Sequence, residues 1–298
     1  MSNMPQTILA ATDFSKPAER AADFARELAR RFQAQLHLVH VTVILEDPHL
    51  EGDHRRRLEE LVASGDDARR KDLESGSEHQ PGLDVTPHMV RGLAPAEVIV
   101  ETASNLGCEL IVMGTHGRRG LPHLLLGSVA ERVVRTSSVP VLTVRGDADI
   151  ELSDAPQILV PHDFSEASAS ALRSAAAWAD ALGAEITLLH VVEPVVYPEF
   201  YSVDVLPDDL MERLVERSER ALGSAAEGLP GNAKVRAKVE VGRAANTIVD
   251  SADPEHFDLV IMATRGLSGL EQALLGSVAE SVLRRCRVPL LTVPSIKF

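Results

Sequence analysis

Short apolar runs alternate with longer amphipathic stretches along the whole chain. The runs have roughly four to seven residues, and in the stretches between them apolar side chains recur every three or four positions. This alternation of buried strands and amphipathic helices is typical of βαβ units with a parallel sheet. In the first half, the predicted strands are Thr7–Ala11, Gln35–Val41, Asp84–Val90, Leu110–Met113 and Val141–Val144. Because Pro87 cannot donate to a central ladder, we expect the third strand at an edge of the sheet.

The first half of the chain reappears in the second half at an offset of about 150 residues. The segment "ILAATDFS" from Ile8 to Ser15 matches "ILVPHDFS" from Ile158 to Ser165, and "LLGSVAE" occurs later in both halves. These landmarks predict two copies of one α/β domain, over residues 1–146 and 154–298. The polar, aperiodic segment from Gly146 to Pro156 is the predicted linker.

The composition is that of a globular protein with an acidic surface. Of the 298 residues, 45% are apolar and 25% are charged, which argues against intrinsic disorder and collagen-like repeats. The net charge of -14 repels phosphate backbones and anionic lipids, and aromatic side chains that could stack on bases make up only 3%. We therefore expect neither nucleic acid nor a membrane as a partner.

The cysteines and the N-terminal residues predict the compartment. Cys108 and Cys286 are far apart and each lies beside an apolar run, so we expect buried thiols in a reducing environment. No cysteine spacing typical of zinc sites is present. The first residues lack the pattern of a secretory leader, and no apolar run reaches the ~18 residues of a membrane span. The sequence predicts a cytoplasmic protein.

A ligand site is expected where the strand order of the sheet reverses. In an open parallel sheet this crevice lies outside the carboxyl ends of the strands. With the third strand at the edge, Asp13 after strand one faces the glycine-rich segment that begins at Gly114 after strand four. That segment ends at Gly127 and Ser128, where the N–H groups of a new helix can bind phosphate. The Asp13 carboxylate could accept hydrogen bonds from an adenine amino group or a ribose hydroxyl.

Both features also have a purely structural interpretation. Ser128 and Glu131 fit a capping box, as do Ser277 and Glu280 in the second half, and a capped helix needs no ligand. Asp13 fits the chemistry of a turn that leads into a helix N-cap. The sequence leaves both interpretations open, and they are compatible with one another.

At these residues the sequence strongly resembles the universal stress protein family, in a tandem two-domain form, over nearly the whole chain. Nucleotide-binding members carry a glycine, two residues, a second glycine, nine residues, and then Gly-Ser or Gly-Thr. Gly114, Gly117, Gly127 and Ser128 match that spacing in full. The resemblance implies an α/β fold with an open parallel five-stranded sheet in each half, in the order 3-2-1-4-5, with helices on both faces. It also implies that the halves pack as an intrachain pseudo-dimer through their fifth strands.

The resemblance further implies that ATP is held by the glycine loop and the helix start, with adenine near Asp13 and the backbone at Val41. We expect Mg²⁺ to accompany it. In the first half, the expected nucleotide-binding residues are Thr12, Asp13, Val41, Met113, Gly114, Gly117, Arg118, Gly127, Ser128 and Val129. In the second half, they are Asp163, Val191, Ala263, Gly266, Gly276, Ser277 and Val278.

The second half departs from the family pattern at one position, where Ala263 replaces the first glycine. An alanine fits there only if its φ is negative and its methyl group does not meet the phosphates. The loops also differ in charge, because the first contains Arg118 and Arg119, whereas the second contains Arg265 and Glu271. These differences predict weaker ATP binding in the second half.

The sequence lacks the motifs of efficient ATP hydrolysis. No lysine stands before Ser128 or Ser277, as a P-loop requires, and "TDFS" after strand one differs from the loop of ATP pyrophosphatases. We expect at most weak hydrolysis. Three histidines are expected near the crevice, namely His116, His123 and His162. They are either polar loop residues or act as catalytic bases or metal ligands.

Three hypotheses about function remain open. The first is a cytoplasmic stress-response protein that binds ATP as a sensor or regulatory module and acts on an unidentified protein partner. The second is a slow ATPase or autophosphorylating protein, and the third is an interaction scaffold without a nucleotide. Association of two chains into a homodimer is also open.

Overall fold

The computed structural model describes residues 4–43, 65–75, 82–115, 126–145, 152–194, 209–253, 255–266 and 275–294. Within these residues the chain divides into two α/β units, one built on the first five strands and one on the last five. The domain limits at residues 146 and 154 and the pseudo-dimer packing of the halves stay predictions.

The first unit is a parallel sheet flanked by helices. Its described elements in chain order are β1 (Thr7–Ala11), α1 (Lys16–Phe32), β2 (Gln35–Val43), α2 (described over 65–75), β3 (Val85–Gly92), α3 (Pro95–Asn105), β4 (Leu110–Gly114), α4 (Ser128–Thr136) and β5 (Val141–Val144). Strand β1 pairs in parallel with β2 and β4, β2 also pairs with β3, and β4 also pairs with β5. The strand order is 3-2-1-4-5, as the family resemblance implied.

The second unit repeats this architecture. Its described elements are β6 (Gln157–Pro161), α5 (Glu166–Leu182), β7 (Glu185–Val192), α6 (Leu210–Glu227), β8 (Lys234–Val241), α7 (Ala244–Ser251), β9 (Leu259–Ala263), α8 (Ser277–Arg285) and β10 (Leu290–Val293). Strand β6 pairs with β7 and β9, β7 with β8, and β9 with β10, all in parallel. The unit therefore has the same strand order as the first.

The helices lie on both faces because crossovers between parallel strands are right-handed. The chain moves outward from β1 to β3 and then returns past β1 to β4, so α1 and α2 lie on one face and α3 and α4 on the other. Accordingly, α1 packs on β1, β4 and β5, whereas α3 packs against α4. The central strands are buried from both faces, which explains their continuous apolar runs.

The third strand lies at the sheet edge, as Pro87 predicted. It pairs with β2 over the register Leu36–Val85 to Val43–Gly92, with Pro87 opposite Leu38. It therefore continues to Gly92, beyond the predicted end at Val90, because the ladder with β2 extends that far. At an edge, the missing N–H of proline costs no ladder hydrogen bond.

Both cysteines are buried, as the apolar runs beside them predicted. Burial raises the pKa of the Cys108 thiol to about 11, and the charge of Glu109 acts in the same direction. The thiol is therefore protonated at neutral pH and a weak nucleophile.

Among the described helices, none combines the length and the apolarity that crossing a membrane requires.

Candidate functional site

Each unit has the same tight turn directly after its first strand. In the first unit, the Asp13 carboxylate accepts a hydrogen bond from the Ser15 N–H at 3.0 Å, and the Ser15 hydroxyl caps α1. In the second unit, Asp163 accepts from the Ser165 N–H at 3.0 Å, and the Ser165 hydroxyl caps α5. The turn and N-cap chemistry considered for Asp13 is present in both units. It fixes the position of each carboxylate at the carboxyl edge of its sheet.

The residue after each aspartate has a left-handed backbone. Phe14 has a φ of 61° and Phe164 a φ of 62°, a conformation that costs a bulky residue roughly 1–3 kcal/mol. Each ring packs on a histidine of the next strand, with centroids 4.7 Å apart for Phe14 and His40 and 4.4 Å for Phe164 and His190. The packing holds this strained turn in one conformation.

The same two histidines lock the turn through hydrogen bonds. The Nδ1 atom of His40 lies 2.8 Å from the carbonyl oxygen of Thr12, and Nδ1 of His190 lies 2.8 Å from that of His162. A carbonyl oxygen only accepts, so Nδ1 carries the proton in both histidines. Strands β2 and β7 thus fix the backbone that leads into Asp13 and Asp163.

The helices at the predicted phosphate site begin without a side-chain cap. The N-caps are Gly127 for α4 and Gly276 for α8, and glycine has no side chain that could accept a hydrogen bond. Ser128 and Ser277 are the first helical residues, one position beyond the N-cap. The predicted capping box is therefore wrong, because a capping serine must precede the helix.

The start of α8 leaves donors available for an anion. The first intrahelical hydrogen bond joins the Glu280 N–H to the Gly276 carbonyl at 2.8 Å. Among the described residues, no side chain accepts from the N–H groups of Ser277, Val278 or Ala279. These groups lie at the positive end of the helix dipole, which favours negative charge.

A cavity of about 290 Å³ lies at the carboxyl ends of β6, β7 and β9. The seven residues expected to bind nucleotide in the second half all line it, namely Asp163, Val191, Ala263, Gly266, Gly276, Ser277 and Val278. Its volume is near the lower end of small-molecule pockets, which begin at about 300 Å³. The fold therefore brings these residues together around one space.

Asp163 and Gly266 approach each other closely at this cavity. A Cβ atom added to Gly266 would collide with Oδ2 of Asp163. The missing side chain of the glycine allows the loop after β9 to come up to the carboxylate. The predicted juxtaposition of an acid with a glycine loop is thus present in the second unit.

Gly114 and Ala263 end equivalent strands and have different surroundings. A Cβ atom on Gly114 would lie 2.8 Å from the carbonyl carbon of Pro17 and 3.0 Å from the amide nitrogen of Ala18, at the start of α1. Ala263 is the last residue of β9 and one of the residues that line the cavity. Its φ is not positive, so an alanine fits this backbone conformation. The absence of a side chain at Gly114 therefore serves helix packing, and an alanine fits at the second position.

The first-unit residues are placed at the same edge of their own sheet. Those at the carboxyl ends of strands are Thr12, Asp13, Val41, Met113 and Gly114. Those at the start of α4 are Gly127, Ser128 and Val129. Outside the described residues lie Gly117, Arg118, Arg119, His116, His123 and Glu271.

Several cavity residues were not predicted from the sequence. His190, Ala244 and Ile248 line the cavity together with Arg265 and His162. The available signal was topological, because α7 begins just beyond the carboxyl end of β8, at the same edge of the sheet. In the described part of the chain, no group of three or more His, Cys, Asp or Glu side chains could hold a metal ion.

Burial lowers the pKa of His162 against the opposing effect of the Asp163 carboxylate, and the neighbouring His190 lowers it further. The imidazole is therefore neutral at neutral pH. Among the described residues, His162 belongs to no group of three or more side chains that could hold a metal ion, and a role as a catalytic base stays a hypothesis.

Sequence and structure comparisons identify the family. A sequence profile of the universal stress protein family matches residues 4–145 and 156–294. The universal stress protein MJ0531 of Methanocaldococcus jannaschii is 36% identical over 145 residues, which cover 48% of this chain and 84% of that protein. The universal stress protein Rv2005c of Mycobacterium tuberculosis is 32% identical over 200 residues, which cover 66% of this chain and 65% of that protein.

A crystal structure of a universal stress protein from Archaeoglobus fulgidus has the same fold. It matches with a TM-score of 0.67 at 22% identity, covering 97% of this chain and 98% of that chain. The family profile itself matches both halves and most of the chain. This chain therefore belongs to the universal stress protein family, as two tandem copies of the family domain.

Proposed function

We propose that this protein binds ATP and acts as a nucleotide-dependent sensor or regulatory module in a cytoplasmic stress response. The observation that carries the proposal is the start of α8, where the N–H groups of Ser277 and Val278 have no side-chain cap and line a cavity shared with Asp163. A helix start of this kind binds phosphate, and a carboxylate accepts hydrogen bonds from a nucleoside. Family membership supports the same ligand.

The cavity lining combines groups that attract phosphate with a group that can bind a nucleoside. Arg265 lines the cavity with the positive end of α8, and both attract phosphate. Asp163 follows β6 and lines the same cavity with His162 and His190, and its carboxylate can accept hydrogen bonds from a nucleoside. With no described protein cluster to hold a metal, we assign Mg²⁺ to the phosphates of the Mg-ATP complex.

The first unit supports a second site of the same kind. It has the same turn at Asp13 and the same hydrogen bond from a histidine, His40, to the carbonyl group of that turn. It also has a glycine, Gly127, as the N-cap of the helix. Weaker binding in the second half stays a prediction, and it rests on the different loop charges, since Ala263 fits its place in β9. Occupancy of each site would stabilise the loops around it and change the surface that a protein partner meets.

Two substitutions at one glycine test the proposal. Gly276 has a φ of -63°, and an added Cβ atom would find only ordinary contacts of 3.5 Å or more, so Gly276→Ala and Gly276→Asp should both fold. The aspartate carboxylate would accept from the first-turn N–H groups and stabilise the helix by roughly a few tenths of a kcal/mol relative to glycine. It would also occupy the phosphate position and repel the ligand.

Calorimetry with Mg-ATP gives the readout. We expect Gly276→Ala to keep the stoichiometry of the native chain and Gly276→Asp to lose one site per chain, without a lower unfolding temperature. Gly127→Asp is the corresponding variant of the first half. Equal heats from the alanine and aspartate variants would contradict a phosphate site at α8, and turnover measured in parallel distinguishes a sensor from a slow ATPase.

A further inference from the structure

One buried polar atom at the second cavity has no hydrogen-bond partner. The His162 residue is only 7% exposed and lines the cavity, and its Nε2 atom is buried without a partner. Buried polar side-chain atoms almost always have a hydrogen-bond partner in folded proteins. An exception at a cavity points to a ligand that supplies the missing partner.

The protonation of the ring follows from its other nitrogen. The Nδ1 atom of His162 accepts a hydrogen bond from the Phe164 N–H at 3.1 Å. A backbone N–H only donates, so Nδ1 has no proton, and the neutral ring carries its proton on Nε2. The atom without a partner is therefore a donor, and it needs an acceptor.

The turn itself does not require this donor. At the equivalent position of the first unit, the Thr12 hydroxyl oxygen accepts from the Phe14 N–H at 3.0 Å. The same left-handed turn follows in both units, with φ values of 61° and 62°. Threonine thus satisfies the turn amide as well as histidine does, and the second ring nitrogen is an addition particular to the second unit.

The acceptor belongs to a part of the ligand that lies near β6. His162 directly precedes Asp163, whose carboxylate lines the same cavity, whereas the phosphate-binding donors lie at the start of α8. These two consecutive residues supply a neutral N–H donor and a carboxylate acceptor, the groups that a base edge with a ring nitrogen and an amino group requires. Adenine has such edges.

We propose that His162 binds the nucleotide in the second half by donating its Nε2–H to a ring nitrogen of adenine. The inference rests on the proposed function and goes beyond it, because it makes the two halves of the chain different in how they recognise the base. Thr12 brings no imidazole donor to the first half, so only the second half contains this contact.

The test uses the full chain with Gly127→Asp, so that only the second half binds, and compares it with the same chain carrying His162→Thr. Threonine is the first unit's own residue at this position, so the turn amide keeps its acceptor. We expect the His162→Thr chain to bind Mg-ATP about five- to tenfold more weakly, the effect of one hydrogen bond. Its unfolding temperature without ligand is measured as the control for folding, because the variant removes a donor without an acceptor but also the packing of the ring on Phe164, whose centroid lies 5.2 Å away.

Nucleotide analogues identify the acceptor atom. In 1-deaza-ATP and 7-deaza-ATP a carbon replaces one ring nitrogen, and one of the two should bind the histidine and threonine chains with equal affinity. A direct readout that does not depend on the variant is the imidazole ¹⁵N resonance of His162, whose Nε2–H signal should shift when Mg-ATP is added.

The outcomes separate the two proposals. Equal ATP affinity of the histidine and threonine chains, with no shift of the Nε2–H signal, overturns the inference and leaves nucleotide binding in place. Absence of any Mg-ATP binding to the second half, with Gly276→Ala and Gly276→Asp indistinguishable, overturns the proposed function and the inference with it.

Discussion

At the scale of single residues, equivalent positions of the two units have acquired different roles. Gly114 allows the backbone of Pro17 to approach β4, whereas the equivalent position in the second unit accommodates a side chain, that of Ala263, which lines the cavity. The sequence motif treats both as one position of a phosphate loop. A glycine can be required because a helix packs closely on it or because a ligand contacts it. In the structure, the close packing of a helix is the reason at Gly114.

Replacing Gly114 by alanine should destabilise the first unit. The new Cβ atom would lie 2.8 Å from backbone carbon of Pro17, which cannot rotate away as a side chain could. We expect a loss of about 1–3 kcal/mol in the free energy of unfolding, measured by urea denaturation.

The matched control is Ala263→Gly in the second unit. It creates no close contact, so only the flexibility of glycine should count, with a loss of about 0.5–1 kcal/mol. A Gly114→Ala variant as stable as the native chain would show that α1 shifts freely, against the packing role of this glycine.

At the scale of elements, one buried carboxylate joins α2 to the sheet of the first unit. Asp66 on α2 accepts hydrogen bonds from Thr42 on β2 at 3.0 Å and from Arg91 on β3 at 2.7 Å, with Arg69 3.5 Å away. Its side chain is only 6% exposed. The contact ties α2 to two neighbouring strands at their carboxyl ends.

Asp66→Asn should loosen α2 while preserving the shape of the side chain. We expect the free energy of unfolding to fall by about 1–3 kcal/mol, because hydrogen bonds to a charged group are lost or weakened. Asp67→Asn, one residue along the same helix and exposed, is the control for the general effect of removing a charge and should cost far less. Equal losses in the two variants would contradict the anchoring role.

The same contact gives a dependence on pH. Burial raises the pKa of Asp66, but the hydrogen bonds from Arg91 and Thr42 and the charges of Arg91 and Arg69 outweigh it, so the pKa lies below its ordinary value of 3.8. A carboxyl with a lowered native pKa contributes stability above the ordinary value and loses it as the pH falls through the native value. The stability difference between native chain and Asp66→Asn should therefore shrink in acid, and a constant difference down to low pH would contradict this linkage.

A comparison of the predicted strands, helix caps and cavity residues with the observed ones shows how much of the structure the sequence could predict. The strands follow from the apolar runs and the edge position of β3 from Pro87, whereas the full order 3-2-1-4-5 was implied by the family resemblance. The capping box was wrong because a serine before an apolar period fits both N-cap and first helical position, and only the backbone shows that Gly127 occupies the cap. The cavity contacts of Ala244 and Ile248 were missed because they depend on how α7 packs, which no local pattern encodes.

At the scale of the whole molecule, duplication gives two candidate sites on one chain. Each unit repeats the strand order, the strained turn and the glycine N-cap, so each has the groups that the proposed site requires. The duplication was evident from sequence because its landmarks are contiguous. The difference at Thr12 and His162 was visible as well, but its consequence depended on the partner of one buried nitrogen atom.

Counting the nucleotides bound to the intact chain is the most direct test of the central claim. Native mass spectrometry of the full chain in millimolar Mg-ATP should show up to two bound nucleotides, with the first half filled before the second. Gly127→Asp and Gly276→Asp should each bind at most one nucleotide, and the double variant should bind none. A chain that binds no nucleotide, or a double variant that binds as many as the native chain, would contradict a nucleotide site at the glycine-capped helix starts.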